Sequence, residues 1–116
     1  ISPLEFTSSL LFDQWKLGET EEEFTLMRIK ISNAEKTICY DLYDEYDSLT
    51  QTSSMSRTTG YTCTAAVNML AQKLFTAKGV FPPELVGKDE TCFNFMLNYL
   101  KERNVHYIKT ESQVHT

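Results

Sequence analysis

The sequence predicts an α+β fold, a small and largely antiparallel sheet with about three helices packed on one of its faces. Two neighbouring stretches, 24–31 and 36–44, alternate side chains with the period of half-buried strands, and a short turn joins them. Three longer segments, opening at Ser2-Pro3, at Thr58-Thr59 and at Asp89, repeat apolar residues at helical spacing behind a capping side chain. The chain has 116 residues. A single domain of this length buries roughly two thirds of its unfolded surface, enough for a core without staples.

The first helix is signalled by Ser2-Pro3-Leu4-Glu5, which sets a capping Ser before Pro at the first helical position and Glu three residues past the cap. Leu4, Leu11 and Trp15 share one face, with Leu10 and Leu17 beside them, and Gly18 closes the helix. The acidic run Glu19 to Glu23, broken only by Thr20, reads as a solvated linker. In the first strand Thr25, Met27, Ile29 and Ile31 alternate with Leu26, Arg28 and Lys30. Ser32-Asn33-Ala34-Glu35 has turn composition, and in the second strand Ile38, Tyr40 and Leu42 oppose Thr37, Cys39, Asp41 and Tyr43, so the pair forms an antiparallel hairpin.

Asp41, Asp44, Glu45 and Asp47 crowd the end of that hairpin without the alternating Asp/Asn ligands and following Gly of a calcium loop, and read as a solvated edge. In an amine-binding enzyme these acids would attract a cationic substrate. Residues 48–56, rich in Ser and Thr, read as a loop or weak strand.

The longest apolar-periodic segment follows, capped by Thr58 or Thr59 and running to about Ala77, with Cys63, Val67, Leu70 and Leu74 on one face and Gly79 at the C-terminal cap. Unpaired amides at a helix start, together with Arg57, Thr58 and Thr59, can form a pocket for a carboxylate or phosphate. The same residues can also serve only the fold, the threonines capping and Arg57 solvated or paired with an acid. Beyond Gly79 the prolines Pro82 and Pro83 impose an extended exit, and Glu84 either caps or contacts a ligand. Asp89 caps the last helix, which runs to about Arg103 and is apolar on all but a narrow stripe of Asn94, Asn98 and Lys101. Asn104 ends it, Val105 to Lys109 is a short strand, and the chain frays from Gln113.

Ser54-Met55-Ser56-Arg57-Thr58-Thr59-Gly60-Tyr61, followed after one helix by Gly79-Val80-Phe81-Pro82-Pro83-Glu84, resembles the C-terminal part of the saccharopine dehydrogenase-like enzymes. That group includes saccharopine reductases and the bacterial carboxyspermidine and carboxynorspermidine dehydrogenases, and the tyrosine and threonines look closer to the bacterial polyamine branch. The resemblance covers most of the chain. It implies that residues 1–116 are one fragment of a substrate-side domain, separated from an N-terminal Rossmann domain that holds NAD or NADP. The implied reaction is reduction of an imine to a secondary amine by hydride from the nicotinamide. The implied partners are a carboxylated amine or imine substrate, the Rossmann domain and a second subunit in a homodimer. Arg57, Thr58 and Thr59 are then the expected anchor for the substrate carboxylate, and no residue stands out as a proton donor.

Composition bounds these expectations. Sixteen acids against eleven bases, with no basic run, argue against a nucleic-acid surface. No apolar run approaches the roughly 18 residues of a membrane span. Only four glycines occur and none forms G-x-G-x-x-G, so no cofactor is expected in this fragment and the fragment alone is not expected to be active. Cys39, Cys63 and Cys92, an odd number inside predicted elements, suit buried apolar side chains in a reducing cytoplasm better than disulfides or zinc. His106 and His115 have no sequence partner that marks a base. The first residue is Ile1, and the chain is expected to begin within a longer protein. The competing expectation is a free-standing α+β binding module without catalysis.

Overall fold

The computed structural model describes residues 1–16, 18 and 21–113. The hairpin forms as its alternation predicts. Strand β1 (Phe24–Ser32) runs antiparallel to β2 (Lys36–Glu45), with Met27 opposite Leu42 and Ile31 opposite Ile38. Asn33 makes the turn: its side-chain oxygen accepts from the amides of Glu35 at 2.9 Å and Lys36 at 2.8 Å, which closes the reversal locally. Strand β3 (Tyr107–Gln113) pairs antiparallel with the other side of β2, giving the order β1-β2-β3. It starts two residues later than expected and continues through Gln113, because Val105 is drawn into the core instead.

Among the described residues four helices accompany the sheet. Helix α1 (Pro3–Trp15) carries the predicted capping box between Ser2 and Glu5, and Glu5 is held below its usual pKa by the Ser2 amide. It ends at Trp15, before Gly18, and buries none of its residues. Helix α2 (Ser54–Ala71) and helix α4 (Glu90–Lys101) pack side by side over one end of one sheet face. The fourth, α3 (Pro83–Val86), is a single turn where an extended exit was expected, since Pro83 at the first helical position needs no amide partner.

The two helices packed on the sheet, α2 and α4, end by the same device. After α2, Lys73 turns left-handed (φ 59), its amide bonding Leu70 and the next amide, of Leu74, bonding Met69. After α4, Asn104 does the same (φ 60), with its amide on Lys101 and that of Val105 on Leu100. This closure stops α2 six residues before Ala77 and makes Gly79 part of the following loop, where its φ of 134° favours glycine.

The core is small: Leu42, Leu100 and Val105 pack together, with Tyr61 and Tyr107 against them. Tyr40 meets Phe93 edge-on at 6.4 Å, joining the sheet to α4. On α2 the buried positions are Ser54, Arg57, Ala65 and Met69, whereas Cys63, Val67 and Leu70 of the expected face are exposed. The buried stripe holds Ala65, whose small side chain permits close approach of another backbone, and the more apolar stripe beside it is left outside. Cys92 is buried, Cys39 half-buried and Cys63 exposed, so burial fits only part of the cysteine set. Among the described residues no helix is long and apolar enough to cross a membrane. Leu17, the Glu19-Thr20 part of the acidic run, and His115 with the tail beyond Gln113 lie outside the described residues.

Candidate functional site

Residues 50–59 offer several hydroxyls able to cap a helix, and the tertiary structure selects Ser53 rather than Thr58 or Thr59. Asp47 and Thr52 exchange backbone hydrogen bonds of 3.0 and 3.2 Å, closing a tight loop that delivers the chain to Ser53. The Ser53 hydroxyl then accepts from the Ser56 amide at 3.1 Å. Ser54 is pinned beneath: its amide donates to the Glu23 carboxylate, and its hydroxyl lies 2.8 Å from that of Thr25 and 3.0 Å from the Asp44 carbonyl. A helix start does receive an anion here. The anion is the chain's own Glu23, placed where the helix dipole favours it.

Starting at Ser54 puts Arg57, Thr58 and Thr59 inside the helix, about 100° apart around it. The side chains therefore diverge. Arg57 points inward and is 7% exposed. Its Nε and Nη2 donate to the Asp44 carboxylate at 3.2–3.4 Å, Nη1 donates to Asp47 at 3.0 Å, and Nη2 also reaches the Arg103 carbonyl at 3.2 Å. The Thr58 hydroxyl donates back to the Ser54 carbonyl at 2.8 Å, and Thr59 is exposed. Of the five guanidinium hydrogens, one on Nη1 is left without a partner among the described residues.

The electrostatics explain why this clamp holds. Burial alone would depress the Arg57 pKa, but the hydrogen bonds and charge of Asp44 outweigh it and raise the pKa. Asp47 is held low first by the Thr50 amide, with Leu49 and Arg57 adding to the effect. Asp44, expected on a solvated edge, is instead 4% exposed, because a buried guanidinium requires a buried counter-charge. The acids that the sequence assigns to solvent are thus the partners of Arg57, which takes the reading that pairs it with an acid. Asp47 and Asp44 lie ten and thirteen positions from Arg57 along the chain, and no local pattern signals their meeting.

Beside the clamp lie two clefts that share Tyr43, Glu45, Tyr46 and Ser48. One, of about 420 Å³, adds Glu22, Glu23 and Phe24. The other, of about 430 Å³, adds Asp44, Asp47, Leu49, Arg57 and Asn104. The Tyr43 hydroxyl donates to Glu45 at 3.2 Å, and this bond to a carboxylate raises the Tyr43 pKa. Carboxylates interleaved with aromatic rings suit an ammonium group. A carboxylate guest beside Arg57 would meet two acids already holding it.

The described residues include no grouping of histidine, cysteine and acids that could hold a metal. The sheet also does not fit a nicotinamide dinucleotide: it is antiparallel throughout, Gly60 lies within a helix, and among the described residues no glycine turn leads from a strand into a helix. Compared with known protein families, residues 2–105 match the model of the saccharopine dehydrogenase C-terminal domain. Comparison with curated proteins and with solved structures gives no match.

Proposed function

This chain belongs to the saccharopine dehydrogenase C-terminal domain family, and from that premise we propose that it is the substrate-side part of an NAD(P)H-dependent oxidoreductase that reduces an imine to a secondary amine. The match over residues 2–105 carries the assignment to a dehydrogenase-like enzyme. The substrate class, carboxyspermidine or carboxynorspermidine type or else saccharopine type, is the narrower part of the proposal. Because a dinucleotide does not fit this sheet, the cofactor is assigned to a separate N-terminal Rossmann domain, and no step is routed through it here.

What this chain contributes is orientation, holding the two ends of a substrate so that its reacting carbon faces the hydride donor. For the amine end, the fitting groups are Glu22, Glu23 and Glu45 with the rings of Tyr43 and Tyr46. For the carboxylate end, Arg57 remains the proposed anchor, while Thr58 and Thr59, expected beside it, diverge from it around the helix and would act only at its margin. In this geometry Arg57 has one unclaimed hydrogen to offer, so the anchor requires the Asp47 contact to yield.

The test is made in the protein that joins this chain to its cofactor domain, assayed with carboxyspermidine-type and saccharopine-type imines side by side. Glu45→Gln is expected to raise KM for the amine-bearing substrate about tenfold or more with cofactor binding unchanged. Arg57→Lys keeps a cation beside Asp44 while removing the planar fork. The anchor predicts a larger KM increase for the carboxylated imine than for the nicotinamide cofactor in the same variant, whereas an unchanged KM for the imine leaves Arg57 as a structural clamp alone. Absence of reduction with either imine would remove the narrower proposal in favour of a non-catalytic binding module.

A further inference from the structure

The two carboxylates that hold Arg57 do so unequally. Asp44 takes both Nε and Nη2, its side chain is 3% exposed, and its carbonyl is fixed by the Ser54 hydroxyl within β2. Asp47 takes only Nη1, at 3.0 Å, and its side chain is 26% exposed. It lies beyond the end of β2, at the head of a loop whose residues 48–51 are exposed, Leu49 almost fully. Asp47 also closes that loop. Its backbone exchanges hydrogen bonds with Thr52, and its Oδ1 accepts from the amides of Leu49 at 2.9 Å and Thr50 at 3.3 Å. The closed loop keeps Gln51 left-handed, at φ 51, a conformation that a residue with a side chain adopts at a cost. One carboxylate therefore joins the loop to the buried arginine, Oδ1 on the turn and Oδ2 on the guanidinium.

We infer that Asp47 is an internal stand-in for a ligand carboxylate, and that a carboxylate entering the cleft of about 430 Å³ takes its place on Arg57 Nη1 and releases the loop 47–52. The inference rests on the proposed carboxylate anchor at Arg57. Charge requires an exchange and not an addition, because one guanidinium already faces two carboxylates and a third beside them is repelled. Of the two acids Asp47 is the one to leave. It holds a single guanidinium nitrogen, and its carboxylate has only to turn towards solvent, whereas Asp44 would have to leave a buried strand. Without a ligand, the stand-in keeps the buried guanidinium from carrying more unfilled donors. Asp47 and Leu49 both line the cleft with Arg57, so departure of the loop widens the way to Nη1. The competition lowers affinity, since only the fraction of molecules with Asp47 displaced can bind. It also gives selectivity: an amine without a carboxylate has nothing to exchange for Asp47 and leaves the loop shut.

Calorimetry and amide hydrogen exchange test it in the protein that joins this chain to its cofactor domain. Two probes of matching chain length are used, ε-aminocaproate, which ends in a carboxylate, and hexylamine, which does not. The segment 47–52 is expected to exchange its amides faster as ε-aminocaproate saturates, and at an unchanged rate with hexylamine. Asp47→Asn keeps the oxygen that accepts from Leu49 and Thr50 but sets an amide nitrogen against Nη1, so the turn survives while the stand-in is lost. That variant is expected to bind ε-aminocaproate at least about tenfold more tightly than wild type, and hexylamine no more tightly. Equal affinity of the two proteins for ε-aminocaproate overturns the inference. So does an equal gain for hexylamine, since the variant has then opened the cleft without any exchange of carboxylates. Binding to wild type with exchange over 47–52 unchanged also overturns it, and leaves the anchor at Arg57 in place without a latch. If ε-aminocaproate binds neither protein, the anchor falls and the inference with it, while reduction of the two imines decides the oxidoreductase reading separately.

Discussion

Arg57 and Asp44 show how much a single pair can decide in a chain with so little core. Their side chains are 8% and 3% exposed, so neither charge is well hydrated and each depends on the other. Removing one partner strands the other. Arg57→Ala or Asp44→Ala is expected to cost about 3–5 kcal/mol in urea unfolding, whereas replacing both by apolar residues of similar volume should recover much of that loss. A loss in the double variant equal to the sum of the two single losses would show that the two side chains act independently. Arg57 also ties separate elements together, since it reaches the end of β2 through Asp44, the loop through Asp47, and the exit of α4 through the Arg103 carbonyl. Tyr61, one turn on, lies under the guanidinium at 5.8 Å and completes its surroundings.

At the scale of the element, caps decide where the helices begin and end. Asp89 was legible as the start of α4 because its capping side chain stands just ahead of an apolar-periodic run, and its carboxylate accepts from the Cys92 amide at 3.0 Å. That bond holds the Asp89 pKa down, so its contribution is complete above the unfolded carboxylate pKa of about 3.9 and is lost as pH falls through the lower folded value. Asp89→Ala is expected to lower the melting temperature by a few degrees at pH 7, and the difference from wild type should shrink below about pH 4. Asp89→Asn, which caps without titrating, should stay near wild type at neutral pH. A gap between Ala and wild type that is constant down to pH 2 would contradict the role of the carboxylate. The start of α2 was less legible. Ser53, Ser54, Ser56, Thr58 and Thr59 all have capping chemistry, and the choice among them was made by Glu23, just ahead of β1, and Asp44 of β2.

For the whole molecule, the distribution of apolar surface matters more than its amount. The sequence is 41% hydrophobic, yet the described buried apolar residues are Leu42, Ala65, Met69, Cys92, Leu100 and Val105. Leu42 stands in the middle strand, between Met27 of β1 and Tyr107 of β3, and in the cluster with Leu100 and Val105. Leu42→Ala is expected to cost about 2–5 kcal/mol, a large share of the 5–15 kcal/mol that ordinarily separates folded from unfolded chains. The outward-facing Tyr43→Ala should cost much less in the isolated chain. Comparable losses at the two positions, measured by denaturant unfolding, would show that the outer face is covered even in the monomer. The radius of gyration of 18.0 Å, against about 13 Å for a compact chain of this length, follows from α1 standing away from the sheet.

The sequence by itself determined the α+β class, the hairpin with its inner and outer rows, the capping box of α1 and the start of α4, because each rests on contacts between residues close along the chain. The family resemblance was also legible there, in the order of residues from Ser54 to Tyr61 and from Gly79 to Glu84. Tertiary structure decided which stripe of α2 faces inward, which serine begins it, and that Arg57 turns to Asp44 and Asp47. Those outcomes depend on long-range pairing of charge and on how closely two backbones can approach, and neither has a period that local spacing can display.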